Sequence, residues 1–157
     1  MQVIEDIEQG ADPIAWNDLH LLGYGPMDDL HEEFVQLVGK LQQAQHHEIE
    51  PLLDTLHEHM SRHFQEEEDW MERTVFPPRD CHRDEHAEVM AALTKVRAQA
   101  DMGIYAFCRP FADYLAEWFP RHATHLDSAL AHWMCKRSLG GKPIVIRRNI
   151  LSQDASA

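Results

Sequence analysis

The sequence predicts an all-α protein: an up-down-up-down antiparallel four-helix bundle with an irregular N-terminal arm and a short C-terminal tail. Glycine and proline residues divide the chain into four long stretches, in which apolar residues recur at three- and four-residue steps. Only short joints separate these stretches, and helices joined by short loops pack as antiparallel neighbours. We therefore assign residues 1–139 to the bundle, with residues 1–26 as its arm, and residues 140–157 to the tail.

The first two helices are predicted from about Met27 to Ala44 and from about Pro51 to Thr74. The first carries a regular apolar stripe, and acidic residues in its first turn complement the helix dipole. Pro51 fits the first turn of the second helix, because an N–H group there needs no partner within the helix.

The third helix is predicted from Asp80, acting as its N-cap, to Asp101, and the fourth from Pro110 to Ser138. Pro120 lies inside the fourth stretch, where a proline removes one helical hydrogen bond and crowds the preceding turn. Because the apolar stripe resumes beyond it, we expect a kink there rather than two separate helices.

Composition narrows the class of protein. The 157 residues include 14 Lys and Arg against 27 Asp and Glu, for a net charge of −13, and such a surface repels nucleic-acid phosphates. No apolar run is long enough for a membrane span, and the N-terminus lacks a signal-peptide pattern. Three cysteines without a Cys-x-x-Cys motif indicate a reducing compartment. We expect a cytoplasmic protein without nucleic-acid or membrane partners. The apolar, basic tail is expected to dock on the bundle or to fray or, alternatively, to bind a protein partner.

Histidine and acidic residues interrupt the apolar stripes of all four helices. His63 and Glu67, four residues apart, differ by about 40° around the helix axis and about 6 Å along it, so both can reach one point. His82 and His86 show the same spacing on the third helix. The inward polar positions are His31, His63, Glu67, His82, His86, His122 and Asp127.

Each of these residues alone has a simpler interpretation, as a hydrogen-bonded core histidine or as part of a surface ion pair. Together, seven buried ionisable groups without a counter-ion would cost many kcal/mol, and a metal centre removes that cost. A tetrahedral zinc site needs only four ligands. The Glu-x-x-His motif of the di-iron carboxylate bundles does not occur in the sequence. Five histidines and two carboxylates form a nitrogen-rich set that suits a pair of irons.

The ordered pattern resembles the hemerythrin family, and within it the single-domain bacterial hemerythrins with an HHE-type cation-binding domain. The resemblance runs from about Trp16 to Trp133 and rests on His31, on His63-Phe-Gln-Glu-Glu67 continuing to Met71, on His82-x-x-x-His86, and on Trp118-x-x-x-His122-x-x-x-x-Asp127. It implies a di-iron centre with an oxo or hydroxo bridge. One iron would take His82, His86 and His122, the other His31 and His63, and Glu67 and Asp127 would bridge both.

The resemblance further implies reversible O2 binding, for sensing, storage or delivery, at a position left open on the iron of His31 and His63. Candidate walls of the O2 pocket are Phe34, Phe64, Ala123 and Leu126. We expect a binding protein rather than an enzyme. The alternatives are a di-iron redox enzyme acting on peroxide or nitric oxide, and a structural bundle that holds zinc or no metal.

Three residues bear on these alternatives. Ala123 stands where bacterial relatives usually carry a bulky aliphatic residue, so a more open pocket and faster autoxidation are expected. His59 stands where the family often has tyrosine, and we expect it to hydrogen-bond a ligand or to pack in the core. His125 lies one turn after His122 and either faces the centre or is exposed to solvent.

Overall fold

The computed structural model of the protein describes residues 10–147, and within this range the regular structure is entirely helical. The helices are α1 (Gly25–Gln42), α2 (His46–Arg73), α3 (Arg79–Asp101), α4 (Cys108–His122) and α5 (Ser128–Ser138). A 3-10 turn at Asp18–His20 precedes α1, and a π-helical turn at Ala123–Asp127 joins α4 to α5.

The helices form the predicted four-helix bundle. Helix α2 packs against α1 and α3, and α4 packs against the same two helices, so the four enclose one core. Helix α5 continues α4 through the π turn and completes the fourth position of the bundle. No helix between residues 10 and 147 combines the length and the apolar character that crossing a bilayer requires.

Two hydrophobic clusters fill the bundle, one on each side of a polar layer. The larger cluster includes Phe34, Leu53 and Leu115, and the smaller one includes Met27, Met71 and Leu130. The polar residues predicted to face inward lie along each helix between the positions that belong to these clusters. The apolar clusters therefore hold the polar layer away from solvent on both sides.

The predicted start of the second helix and the predicted N-cap of the third are wrong. Helix α2 begins at His46 rather than at Pro51, and the Gln45 N–H donates to the Glu48 carboxylate at 2.8 Å in its first turn. Pro51 is accommodated one turn later, where the carbonyl it leaves without a helical partner belongs to the exposed His47. Asp80 does not cap α3, because Pro78 occupies the N-cap position and Asp80 lies in the first turn.

The fourth helix is not divided at Pro120, as predicted, and it departs from regular α geometry just after that residue. Helix α4 begins at Cys108 and continues through Pro120 to His122 without a break. The departure is the π turn that follows, in which the Ser128 N–H donates to the Ala123 carbonyl five residues earlier. A single inserted turn of this kind changes which side chains share a helix face.

The described part of the arm lies against the bundle, and the described part of the tail lies against the arm. The Ile14 N–H donates to the buried Gln42 side chain at 2.7 Å, and the Ile14 carbonyl lies so close to Gly39 that a Cβ there would be 2.6 Å from it. The tail passes Gly23, and Arg147 donates to the Asp18 carbonyl at 3.2 Å. The tail assigned to residues 140–157 is described only to residue 147.

Candidate metal centre

The seven inward polar residues converge in one layer of the bundle. Each is 3% exposed or less, although every one of them carries an ionisable side chain. Helix α1 contributes one of them, α2 two, α3 two, α4 one and the π turn one; in that order they are His31, His63, Glu67, His82, His86, His122 and Asp127.

Glu67 lies between two groups of imidazoles and turns one oxygen to each. Its Oε1 atom is 2.9 Å from His63 Nε2 and 3.4 Å from His31 Nε2. Its Oε2 atom is 3.2 Å from His86 Nε2 and 3.3 Å from His82 Nε2. The carboxylate therefore connects a pair of histidines, from α1 and α2, with the histidines of α3.

Asp127 repeats this division from the opposite helix. Its Oδ2 atom is 3.0 Å from His31 Nε2. Its Oδ1 atom is 2.9 Å from His82 Nε2 and 3.2 Å from His122 Nε2. Both carboxylates thus span the same two positions. Two imidazoles face one of these positions, and three imidazoles face the other.

The π turn brings Asp127 to the centre together with His122. On a regular α-helix two residues five apart point about 140° away from each other, so they could not both face the bundle axis. The wider turn at Ala123–Asp127 removes much of this angular difference. The sequence predicts that both residues face inward, and the π turn supplies the geometry by which they do so.

Several buried polar atoms of this layer lack a hydrogen-bond partner. They are His31 Nδ1, Glu67 Oε2, His82 Nδ1 and Nε2, and both oxygens of Asp127. Four of these six atoms, Glu67 Oε2, His82 Nε2 and both oxygens of Asp127, lie about 3 Å from other ligand-type atoms. Buried atoms of this kind cost about 1–3 kcal/mol each when left unpaired. Atoms that point toward a shared space rather than at each other are suited to a cation placed between them.

The donor chemistry fits metal ions. Ligand atoms of Glu67, His82, His86, His122 and Asp127 all lie within 4.8 Å of one another, and so do those of His31, His63 and Glu67. The five imidazoles present Nε2 to the shared space. Imidazole nitrogens with carboxylate oxygens are ligands that iron and other first-row transition metals accept.

The electrostatics of the layer favour bound cations. Burial by itself would lower the pKa of His31 and of His82, but the carboxylates of Asp127 and Glu67 raise these pKa values to about 10 and about 9. Burial would raise the pKa of Glu67 and of Asp127, yet the surrounding imidazoles hold both well below the usual range. Two ionised carboxylates therefore attract protons or metal ions to the same Nε2 atoms.

The outward nitrogens of three imidazoles meet other side chains: two glutamates that the sequence pattern did not indicate, and His59, which was expected to contact a ligand. His122 Nδ1 is 2.6 Å from Glu85, and His86 Nδ1 is 3.4 Å from Glu68. His63 Nδ1 is 3.2 Å from Nε2 of His59. Contacts of this kind orient metal-binding histidines.

Aromatic rings surround the layer on the side of the larger cluster. Of the predicted pocket walls, Phe34 and Ala123 are buried, and Phe64 stacks on His86 with ring centroids 3.9 Å apart. Leu126 is only half-buried. Phe119, which was not among the predicted walls, contacts His31 edge-on, with ring centroids 5.1 Å apart. Its position three residues before His122, on the same helix face, was an available signal.

The two histidines whose positions the sequence left undecided differ in burial. His59 is 2% exposed, and burial next to His63 lowers its pKa to about 4. It touches both His63 and Glu33, so it lies beside the centre as expected. His125 is exposed, so its position does not support a role at the centre.

Comparisons with known proteins agree with this architecture. The family model described as the hemerythrin HHE cation binding domain matches residues 22–133. A bacteriohemerythrin from Ralstonia nicotianae is 35% identical over 124 residues, which cover 79% of this chain and 90% of that protein. A myohemerythrin from Sipunculus nudus is 25% identical over 116 residues, covering 74% of this chain and 89% of its own length.

Solved hemerythrin structures share the fold. The wild-type structure superposes with a TM-score of 0.68 at 21% identity, covering 73% of this chain and 92% of its own. A variant structure gives a TM-score of 0.69 at 20% identity, covering 75% and 94%. With the family model spanning most of the bundle and a bacterial relative at 35% identity, the chain belongs to the hemerythrin family.

Proposed function

We propose that this protein binds O2 reversibly at a non-haem di-iron centre and serves oxygen sensing, storage or delivery. The observation that carries the proposal is the division of the carboxylate oxygens. Glu67 and Asp127 each direct one oxygen toward His31 and the other toward His82. Carboxylates arranged in this way would bridge two irons.

The two positions differ in the number of imidazoles that face them. His82, His86 and His122 would hold one iron, whereas only His31 and His63 would hold the other. With the same two bridging carboxylates on both, the second iron has one protein ligand fewer. Two ferrous ions held by these residues would supply the two electrons that reversible O2 binding requires. The unequal ligand sets support binding of the gas on the side of His31 and His63.

The residues around this side keep water out. Phe34 and Phe119 are each 1% exposed, and Phe119 packs edge-on against His31. Phe34 contacts His63 edge-on, with ring centroids 6.2 Å apart. Apolar rings of this kind donate no protons, so the chain's contribution is to orient the imidazoles and to exclude solvent.

A binding protein fits the site better than an acid–base enzyme. Among the described residues, the only buried histidine outside the seven is His59, and it is held between His63 and Glu33. A general acid–base reaction needs a titratable group that faces the substrate and is not already used as a ligand. The site has no obvious candidate for this role among residues 10–147.

A redox enzyme that acts on peroxide or nitric oxide at the same centre is the second candidate. It is favoured by Ala123, a buried methyl group adjacent to His122, where a larger aliphatic side chain would narrow the pocket. A wider pocket would admit water and small oxidants more readily than a narrow one.

The test is a cycle of the iron-loaded, reduced protein between argon and air, followed by visible and resonance Raman spectroscopy. Two irons per chain and a colour that appears in air and disappears under argon would support O2 binding. Irreversible oxidation with turnover of added peroxide would instead support the enzyme. A colourless protein without iron would support a structural bundle and contradict both. The variant His125→Ala, altered at an exposed position, is the matched control and should cycle as the unchanged protein does.

A further inference from the structure

A line of side chains leads from the surface of the bundle to His63. Glu33 Oε2, on a side chain that is 48% exposed, lies 3.3 Å from His59 Nδ1. His59 Nε2 lies 3.2 Å from His63 Nδ1, and His63 Nε2 faces the centre, 2.9 Å from Glu67. His59 is buried and has an aromatic contact with Phe34, so its ring cannot turn freely toward water.

The proposed role of His63 fixes the direction of every hydrogen bond in this line. If His63 binds metal through Nε2, that nitrogen carries a lone pair and the proton is on Nδ1. His63 Nδ1 then donates to His59 Nε2, which leaves the proton of His59 on Nδ1. The group that meets His59 Nδ1 must accept, and the Glu33 carboxylate can only accept.

Arg62 provides a competing contact that would reverse this order. Its Nη2 atom lies 3.4 Å from His59 Nδ1, and it also donates to both oxygens of Glu33, at 3.0 and 3.1 Å. An Arg62 N–H that donated to His59 Nδ1 would place the His59 proton on Nε2. His63 Nδ1 would then have to accept, and its own proton would move to Nε2, where it blocks metal binding. Glu33 prevents this by engaging both Arg62 and His59.

The line belongs to only one of the two proposed iron positions. On the side with three imidazoles, Glu85 and Glu68 meet His122 and His86 directly. On the side with two, a second imidazole separates the carboxylate from His63. Metal binding on this side therefore depends on the tautomer of an additional ring, that of His59. The charged side chains of Glu33 and Arg62 at the surface determine that tautomer.

We propose that Glu33 and His59 are positioning residues that fix the tautomer of His63, and that Arg62 opposes them when Glu33 is absent. This inference rests on the proposed di-iron function, because it assumes that His63 binds metal through Nε2. It assigns roles to two surface side chains, Glu33 and Arg62, that touch no ligand-binding atom of the centre.

The experiment measures how fast iron leaves the reduced protein under anaerobic conditions when a ferrous chelator is in excess. Glu33→Leu should accelerate the loss of iron by roughly 10- to 100-fold, the range typical of lost outer contacts to metal ligands. Arg62→Leu alone should remain within about two-fold of the unchanged protein by the same reasoning, because Glu33 still accepts from His59. The double variant Glu33→Leu/Arg62→Leu should recover most of the retention, since the opposing donor is gone.

His59 supplies the matched controls. His59→Leu should also accelerate iron loss, but adding Arg62→Leu should give no recovery, because the ring through which Arg62 acts is missing. His59→Gln, whose amide can accept from His63 and donate to Glu33, should restore much of the retention. The thermal midpoint of each metal-free variant confirms folding, and Glu33 and Arg62 are about half-exposed, so their variants should fold normally.

A merely structural role predicts different results. If the Glu33–Arg62 ion pair simply braces the helices, Arg62→Leu alone should act like Glu33→Leu, and the double variant should be no better than either single one. That outcome, or an unchanged rate for Glu33→Leu in a protein that holds two irons, would overturn this inference alone. An unchanged protein that binds no iron would overturn the proposed function and this inference with it.

Discussion

Removal of the metal ions should strongly destabilise the bundle. Six buried polar atoms of the central layer have no hydrogen-bond partner, and a metal centre would satisfy the four that face it: Glu67 Oε2, His82 Nε2 and both oxygens of Asp127. At about 1–3 kcal/mol for each unpaired atom, the combined cost of these four is roughly 4–12 kcal/mol. Water entry and protonation of the imidazoles would relieve part of this cost, so we expect a value toward the lower end. Typical domains have a total stability of only about 5–15 kcal/mol, so the metal-free protein should be marginally stable.

The assay compares thermal unfolding of the ferrous protein with that of the metal-free protein, both kept anaerobic and followed by far-ultraviolet circular dichroism. A loss of about 4 kcal/mol corresponds to a decrease in Tm of roughly 8–16 °C for a chain of this size. The variant His82→Ala, in which one converging imidazole is missing, is the control, and the chelator should lower its Tm much less.

Equal Tm values for the two forms would refute this reasoning, provided that iron analysis shows two ions in the loaded sample and none in the other. Such a result would mean that the unpaired atoms are satisfied equally well in both forms. The layer would then be an ordinary polar core, and its unpaired atoms would not indicate a metal centre.

Three substitutions test individual parts of the site. His82→Ala should reduce the iron content from two ions per chain to one or none. The control variant His132→Ala, altered at an exposed position, should retain both ions. An unchanged iron content in the His82→Ala variant would contradict the ligand assignment. Ala123→Leu should slow autoxidation of the oxygenated protein several-fold by narrowing the pocket. An unaltered lifetime of the oxygenated protein would show that an open pocket does not set the rate of autoxidation. Phe119→Ala should lower the free energy of unfolding by about 3–5 kcal/mol and accelerate autoxidation, because it removes the ring next to His31. A normal autoxidation rate would show that water does not reach the centre from that side.

The fold could be predicted because its signals are local. Apolar periodicity places His63 and Glu67 on the buried face of one helix, and the structure confirms that both are buried there. Helix starts were less predictable. Pro51 suggests the first turn of a helix because proline has no N–H to donate. A proline is also tolerated one turn later when the carbonyl that it leaves unpaired is exposed, as the carbonyl of His47 is.

The π turn could not be predicted from periodicity alone. Its effect can be recognised in retrospect from the five-residue spacing of His122 and Asp127, which a regular α-helix would place about 140° apart. Pro120 indicates the correct region, because the helix continues through it and widens into the π turn directly afterwards.

The contacts outside the seven residues were also beyond the sequence. Glu33, Glu68 and Glu85 are charged residues on partly exposed helix faces, where a glutamate usually needs no special explanation. Their carboxylates reach buried imidazoles because of the way neighbouring helices pack, and that packing cannot be read from spacing along one helix. The same limit applies to His125, whose spacing allowed either an inward or an exposed position.

A crystal structure of the iron-loaded protein, with anomalous scattering measured at the iron edge, tests the central claim. The account predicts two anomalous peaks inside the bundle, both in contact with Glu67 and Asp127. One should be bound by Nε2 of His82, His86 and His122, and the other by Nε2 of His31 and His63. A single peak, no peak, or iron bound only at the protein surface would contradict the proposed di-iron centre.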